Sequence, residues 1–292
     1  MGLYEFASRS GIGLTSPYSA GINPLFNWAE LEPQERAFNW APLDNAIAAA
    51  RNADRRVIPR IYTNVAGYGQ ATPAWVFDAG AASYYSSQFS QNKGMRQPVP
   101  DDPVFKAKFG AFLKALGARY NGNPTIAFFQ TNAGMGEYGE MVWGYPDQFK
   151  PPGWTADRNL SVIKYWLDQW LAAFPTTKLA VMVNFIGWNI AENLMAYAAG
   201  KGVWIQQNSP YLRNELLASW KEVASRTKIV MEVEDAGGRT ATVALGFDAM
   251  IAKVFGYGFP IDHLVLHGNS FRDAATAAKL PGVQARLRQA EP

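Results

Sequence analysis

Residues Asn123 to Pro146 read NPTIAFFQTNAGMGEYGEMVWGYP, an apolar run that stops at a glycine-rich turn carrying two carboxylates, Glu137 and Glu140. A short apolar run bounded by turn residues reads as a buried strand. When such a strand belongs to a closed parallel barrel, its C-terminal end and the loop after it supply the chemistry. Lys228 to Gly238, KIVMEVEDAGG, repeats the arrangement: a β-branched run ends in Glu232, Glu234 and Asp235 ahead of a glycine pair. Two strand ends that each offer carboxylate point to acid–base chemistry across a shared cleft.

Working outward, strand-like runs alternate with longer amphipathic segments, the pattern of repeated β/α units around a parallel sheet. Strands are expected at Gly21–Phe26, Val57–Thr63, Thr125–Thr131, Leu179–Asn184, Gly202–Gln207, Lys228–Val233 and Ile261–His267, with an eighth at Leu3–Ser8 or Gly11–Thr15. Helices are expected at Trp40–Asn52, Asp102–Tyr120, Ala156–Phe174, Ala191–Gly200, Leu212–Arg226, Thr240–Gly256 and Arg272–Leu280, the last stopped by Pro281. Phe105, Phe109, Phe112 and Leu113 recur at helical spacing and read as core. Ala66 to Pro100 is too long for a plain connector and belongs on the active face of a barrel. At 292 residues, with no repeat or linker-like shift in composition, the chain reads as one domain, residues 1–292: an α/β (β/α)8 TIM barrel, a fold of about 250 residues.

Composition narrows the function. With 48% hydrophobic and 17% charged residues the chain can bury a large core. The net charge of +3 is scattered, with Arg55-Arg56 the nearest thing to a cluster, which argues against a nucleic-acid partner. No run reaches the roughly 18 apolar residues of a membrane span. The start, MGLYEFASRSG, lacks the layout of a signal peptide, yet the absence of cysteine suits export as well as the cytoplasm, and a secreted or periplasmic site is favoured. With no cysteine and only His263 and His267, no metal or other cofactor is expected, and no strand ends in the HxH or Lys of other barrel chemistries.

Asn27 to Asp44, NWAELEPQERAFNWAPLD, resembles the W..LEP....F.W..LD signature that follows the second strand of clan A glycoside hydrolases, notably families 42 and 10. Ala46 to Tyr62 and Asp101 to Gln130 fit the same pattern, so the resemblance covers roughly residues 20 to 270. Clan A enzymes place Asn followed by the acid Glu at strand four; here Asn132 is followed by Ala133. Either the acid lies a few residues on or it has been replaced, naturally or by engineering. The following GMGEYGEMVWGYP resembles the strand-four motif of β-amylases, and that resemblance implies Glu140 as the acid, with Glu137 as its rival. Val230-Met231-Glu232 resembles the Met-Glu that carries the nucleophile in family 42, and Glu232 to Asp235 resembles a β-amylase motif. Both imply Glu232. The two families differ in stereochemistry, one retaining and the other inverting.

Cleaving a glycosidic bond takes a proton for the leaving oxygen and a carboxylate, or a water it activates, on the opposite face of the sugar. Ends of strands four and seven face each other across a barrel, so Glu140 and Glu232 can meet over its axis. Carboxyl groups about 5–5.5 Å apart give retention, and about 6.5–9.5 Å gives inversion. Glu234 shares a strand face with Glu232 and is the reserve nucleophile. The competing role for Glu232 is a buried ion pair, with Arg60 as partner; for Glu137 and Glu140 it is a solvated loop or cap. Trp28, Trp75, Trp143 and Trp188 fall at strand ends where rings can stack on sugars, whereas Trp166, Trp170 and Trp220 read as core. Arg60, Asn64, Gln130, Asn132, Asn184, Gln206, Asn208 and His267 collect at the same ends and suit hydroxyl recognition. The expected partner is a carbohydrate substrate, and a sugar-binding barrel without turnover is the alternative that Ala133 raises.

Overall fold

The computed structural model describes residues 1–64, 69–85, 94–131, 153–183, 188–208, 211–233 and 246–289, with the backbone alone at 188, 189, 288 and 289. The strands are β1 (Gly2–Phe6), β2 (Gly21–Asn23), β3 (Leu25–Asn27), β4 (Arg56–Val57), β5 (Arg60–Tyr62), β6 (Ser83–Tyr85), β7 (Arg96–Pro98), β8 (Phe129–Thr131), β9 (Leu179–Met182), β10 (Trp204–Gln207), β11 (Ile229–Val233) and β12 (His263–Leu266). The helices are α1 (Trp28–Leu31), α2 (Ala41–Asn52), α3 (Ala74–Asp78), α4 (Pro103–Tyr120), α5 (Ala156–Ala173), α6 (Trp188–Gly200), α7 (Leu217–Ala224), α8 (Gly246–Phe255), α9 (Asn269–Arg272), α10 (Ala274–Ala277) and α11 (Leu280–Gln289).

Ten of these strands pair in parallel in the order β3-β5-β8-β9-β10-β11-β12-β1-β2-β4. They amount to eight barrel strands, because β2 and β3 are one strand interrupted at Pro24 and β4 and β5 are one strand interrupted at Pro59. Proline has no N–H for the ladder, but the register runs through both breaks: Arg56, Ile58 and Arg60 donate in turn to the carbonyls of Ala20, Ile22 and Pro24, and Gln130 donates to Pro59. With β1 paired to both β12 and β2, and β5 paired to β8, the ring closes. The first strand is the Leu3–Ser8 alternative; Gly11–Thr15 instead forms a short 3-10 turn, Ile12–Leu14.

Among the described residues the helices form where expected, for local reasons, the first residues of Thr240–Gly256, 240–245, lying outside them. Asp102 caps α4 by accepting from the Phe105 amide at 2.9 Å, with Pro103 in the first turn. Thr155 caps α5 on the Arg158 amide at 3.2 Å. Gly117 lets these two helices touch: a Cβ there would stand 2.2 Å from the Ala173 carbonyl oxygen. Two expectations need correction. Arg272–Leu280 is not one helix, since Asp273 leaves the helical region and caps a new turn on the Thr276 amide at 2.8 Å. Pro281 does not stop a helix but sits in the first turn of α11, where its missing N–H costs nothing. The segment after strand three carries α3 and the antiparallel hairpin β6–β7.

Strand parity divides the core in two. Leu3, Ile22, Val57, Phe129, Ile205, Met231 and Leu264 point outward into the large layer between barrel and helices. Tyr4, Ile58, Phe128, Ala180, Val230 and Val265 point inward and form the apolar waist. Beneath the waist, at the N-terminal ends of the strands, His263 stacks on Trp204 with ring centroids 5.0 Å apart. Burial holds the His263 imidazole well below its ordinary pKa, reinforced by nearby cationic groups including Lys228 and Arg56. The unfolded chain therefore takes up this proton first as pH falls. The resulting stability is fully present above about pH 6.5 and drains away below it, by up to about 1.4 kcal/mol per pH unit. Urea unfolding of His263→Phe between pH 7.5 and 5 is expected to show a shallower loss than the parent chain, in that measure.

Candidate active site

Above the waist the inward positions turn polar. Asn23, Arg60, Gln130, Gln206 and Glu232 come from strands two, three, four, six and seven, and all are buried. Their side chains form one connected floor. Arg60 is central: Nη2 donates to Glu232 Oε2 at 2.9 Å, Nε to Gln130 Oε1 at 3.0 Å and Nη1 to the Tyr62 hydroxyl at 3.2 Å. Gln130 Oε1 also accepts from Asn23 Nδ2 at 2.8 Å, while Gln130 Nε2 donates to Gln206 Oε1 at 2.7 Å. Gln206 Nε2 continues to Asn208 Oδ1 at 2.7 Å, and Asn208 Nδ2 reaches the Met182 sulfur at 3.1 Å. Gln130, Gln206 and Asn208 each have oxygen and nitrogen fixed by a neighbour, and Asn23 is held through its Nδ2, so the floor holds one arrangement.

Glu232 ends strand seven with 7% of its surface exposed. Arg60, fully buried, holds one carboxylate oxygen through a charge-assisted bond. The other, Oε1, lies 4.0 Å from His267 Nε2. His267 is half-buried and stacked on Phe6 at 4.6 Å. A carboxylate anchored by one oxygen at the top of a barrel strand has its second oxygen directed by the scaffold, the preorganisation a reacting group needs.

Of the sequence-derived site residues, Arg60, Gln130, Gln206, Asn208, Glu232 and His267 are brought together here. Asn64, next inward after Tyr62, is buried; its Oδ1 accepts from Thr63 at 2.9 Å, and its Nδ2 has no partner among the described residues. Glu137, Glu140, Glu234, Asn132, Ala133, Trp143 and Asn184 lie outside the described residues, as does the side chain of Trp188, which opens α6. Asn23, Tyr62 and Phe6 are site residues that sequence reasoning missed. The inward parity of strand two, Gly21, Asn23, Leu25, was the available signal for Asn23. Beside the floor a cavity of about 360 Å³ opens between Leu25, Asn27, Tyr62 and the paired Arg9 and Glu30. Among the described residues no group of three His, Cys, Asp or Glu side chains could hold a metal, and no helix is long and apolar enough to cross a membrane.

Trp28 is the clear correction. It is fully buried outside the barrel, packed on Trp75, Phe105, Phe109 and Phe112, and offers no face to a ligand. The whole signature around it is a clasp. Trp28 Nε1 donates to Glu32 Oε2 and the Arg36 amide to Oε1, both at 2.8 Å, while Trp75 Nε1 donates to the Glu32 carbonyl at 3.1 Å. Burial pushes the Glu32 carboxyl above its ordinary pKa, opposed by those bonds. Trp40 stacks on Phe38 and Phe112, and Asp44 binds Arg119 and the Tyr120 hydroxyl. These residues pin α2 and the turn before it to α4.

The sequence profile of the glycoside hydrolase 42 family (β-galactosidase) matches residues 20–158. Two β-galactosidases of Lactobacillus acidophilus, LacA and LacZ, are 30% and 29% identical over 127 residues, 41% of this chain in each case. That stretch spans 17% of the length of each relative. The catalytic domain of β-amylase from Paenibacillus polymyxa superposes with a TM-score of 0.65, covering 100% of this chain and 99% of that one at 12% identity, a likeness of fold. The chain is thus a TIM barrel, similar in sequence to the glycoside hydrolase 42 family over residues 20–158 and similar in overall fold to a β-amylase.

Proposed function

We propose that this chain hydrolyses a β-linked oligo- or polysaccharide by a retaining mechanism, with Glu232 as nucleophile and a strand-four carboxylic acid as acid/base, Glu140 ahead of Glu137. The observation that carries this reading is the setting of Glu232: buried at the strand-seven end, one oxygen held by Arg60, inside a floor of amides suited to sugar hydroxyls. The family 42 likeness makes a β-galactoside the first substrate to try. A double displacement would run in two halves. Glu232 attacks the anomeric carbon while the acid protonates the departing oxygen; the same acid, now a base, then takes a proton from water that releases the sugar. Ala133 favours a second reading, a sugar-binding barrel without turnover.

The acid is tested by comparing leaving groups. Glu140→Gln is expected to lower kcat/KM for an unactivated disaccharide by about 10²–10⁴-fold while sparing kcat/KM for a dinitrophenyl glycoside, whose leaving group needs no proton, although kcat for the latter falls because the second half loses its base. The same pattern in Glu137→Gln would move the acid there. A parent chain that binds β-galactosides and cleaves none, activated or not, would leave the second reading.

A further inference from the structure

At the opposite end of the barrel from Glu232 lies a cavity of about 620 Å³, within the range of small-molecule sites. Its charge is lopsided: Arg51, Arg55, Arg56 and Lys228 line it against a single carboxylate, Asp54. No carboxylate neutralises the three arginines among the described residues. Arg51 and Arg55 reach only neutral oxygens, those of Thr125, Asp54 and Ser16, and Lys228 stands 3.8 Å from Asp262. At the inner end of the cavity sits His263, 4% exposed, with both ring nitrogens lacking a partner among the described residues. A buried imidazole normally has its polar atoms satisfied, and like charges crowded on one face destabilise a fold. Both features are resolved by one thing, an anion in the cavity.

We infer that the floor of the barrel is a binding site for a phosphorylated small molecule, its phosphoryl group held by Arg56, Lys228 and His263. Planar guanidinium groups match phosphate oxygens through paired donors. The volume exceeds that of phosphate alone, and Trp204 and Ala127 supply apolar wall for an organic body. The site lies across the apolar waist from the polar floor, so its occupancy is separate from hydrolysis.

The two histidines of the chain report on the two ends of the barrel, His263 below and His267 above. Inorganic phosphate, titrated at constant ionic strength and followed by imidazole NMR, is expected to shift the His263 resonances saturably and to leave those of His267 in place. A double replacement, Arg56→Ala with Lys228→Ala, is expected to weaken that binding by about tenfold or more, with unchanged His267 resonances reporting an intact fold. Glycerol phosphate is expected to bind more tightly than inorganic phosphate. The proposal is overturned if His263 does not respond through the millimolar range, if chloride produces the same shift, or if the double variant binds phosphate as well as the parent does.

Discussion

Glu232→Gln is expected to lower kcat/KM for a cleavable β-glycoside by about ten-thousandfold, the scale seen when a covalent catalyst loses its nucleophile. The amide keeps the shape of the carboxylate and can still accept from Arg60 Nη2, so the floor around it stays assembled. KM should therefore change little while kcat collapses. In Glu232→Ala, which empties the position, added azide, a small nucleophile able to occupy it, is expected to restore part of the rate with a glycosyl azide as product. Steady-state rates with and without azide check both. A variant within tenfold of the parent would remove Glu232 from the chemistry and leave it the structural ion-pair partner of Arg60.

The largest effect on stability is expected from Arg60. It is fully buried and donates to Glu232, Gln130 and Tyr62 at once. Arg60→Met strands a buried carboxylate, and breaking a buried pair from one side costs about 3–5 kcal/mol, or roughly 10 °C in Tm for a chain of this size. Arg60→Lys should recover little, since one ammonium group cannot reach three acceptors in fixed directions. The double variant Arg60→Met with Glu232→Gln should be more stable than Arg60→Met alone, because the amide carries no charge to leave unpaired. Calorimetric melting of these chains distinguishes a cost of stranded charge from one of lost packing, which would make the double variant the least stable.

The barrel was legible because its signals are periodic. Apolar runs at Val57, Thr125, Leu179 and Lys228 mark strands whatever surrounds them, and Asp102-Pro103 announces α4 through capping alone. Arg60 as partner to Glu232 was legible too, since both sit at strand ends and a buried carboxylate needs a counter-charge. What escaped depends on direction rather than position. Trp28 follows a strand end, yet the turn into α1 sends its ring outward to Phe109 instead of into the mouth. Asn23 was missed because it lies inside the expected strand Gly21–Phe26 rather than at its end, although its inward parity was there to read. Pro281 read as a terminator because proline also opens helices, and sequence alone does not say which. The clan A signature itself is legible for a reason unrelated to catalysis: Trp28, Glu32 and Asp44 form packing contacts that hold α2 and α4 to the barrel.

Trapping with a slow-turnover fluoroglycoside, followed by mass mapping of the labelled peptide, reads out directly which carboxylate meets the reacting carbon. A single sugar attached to Glu232 is the expected result. Label on Glu234, Glu140 or any other side chain, or hydrolysis with inversion and no trapped sugar, would contradict it.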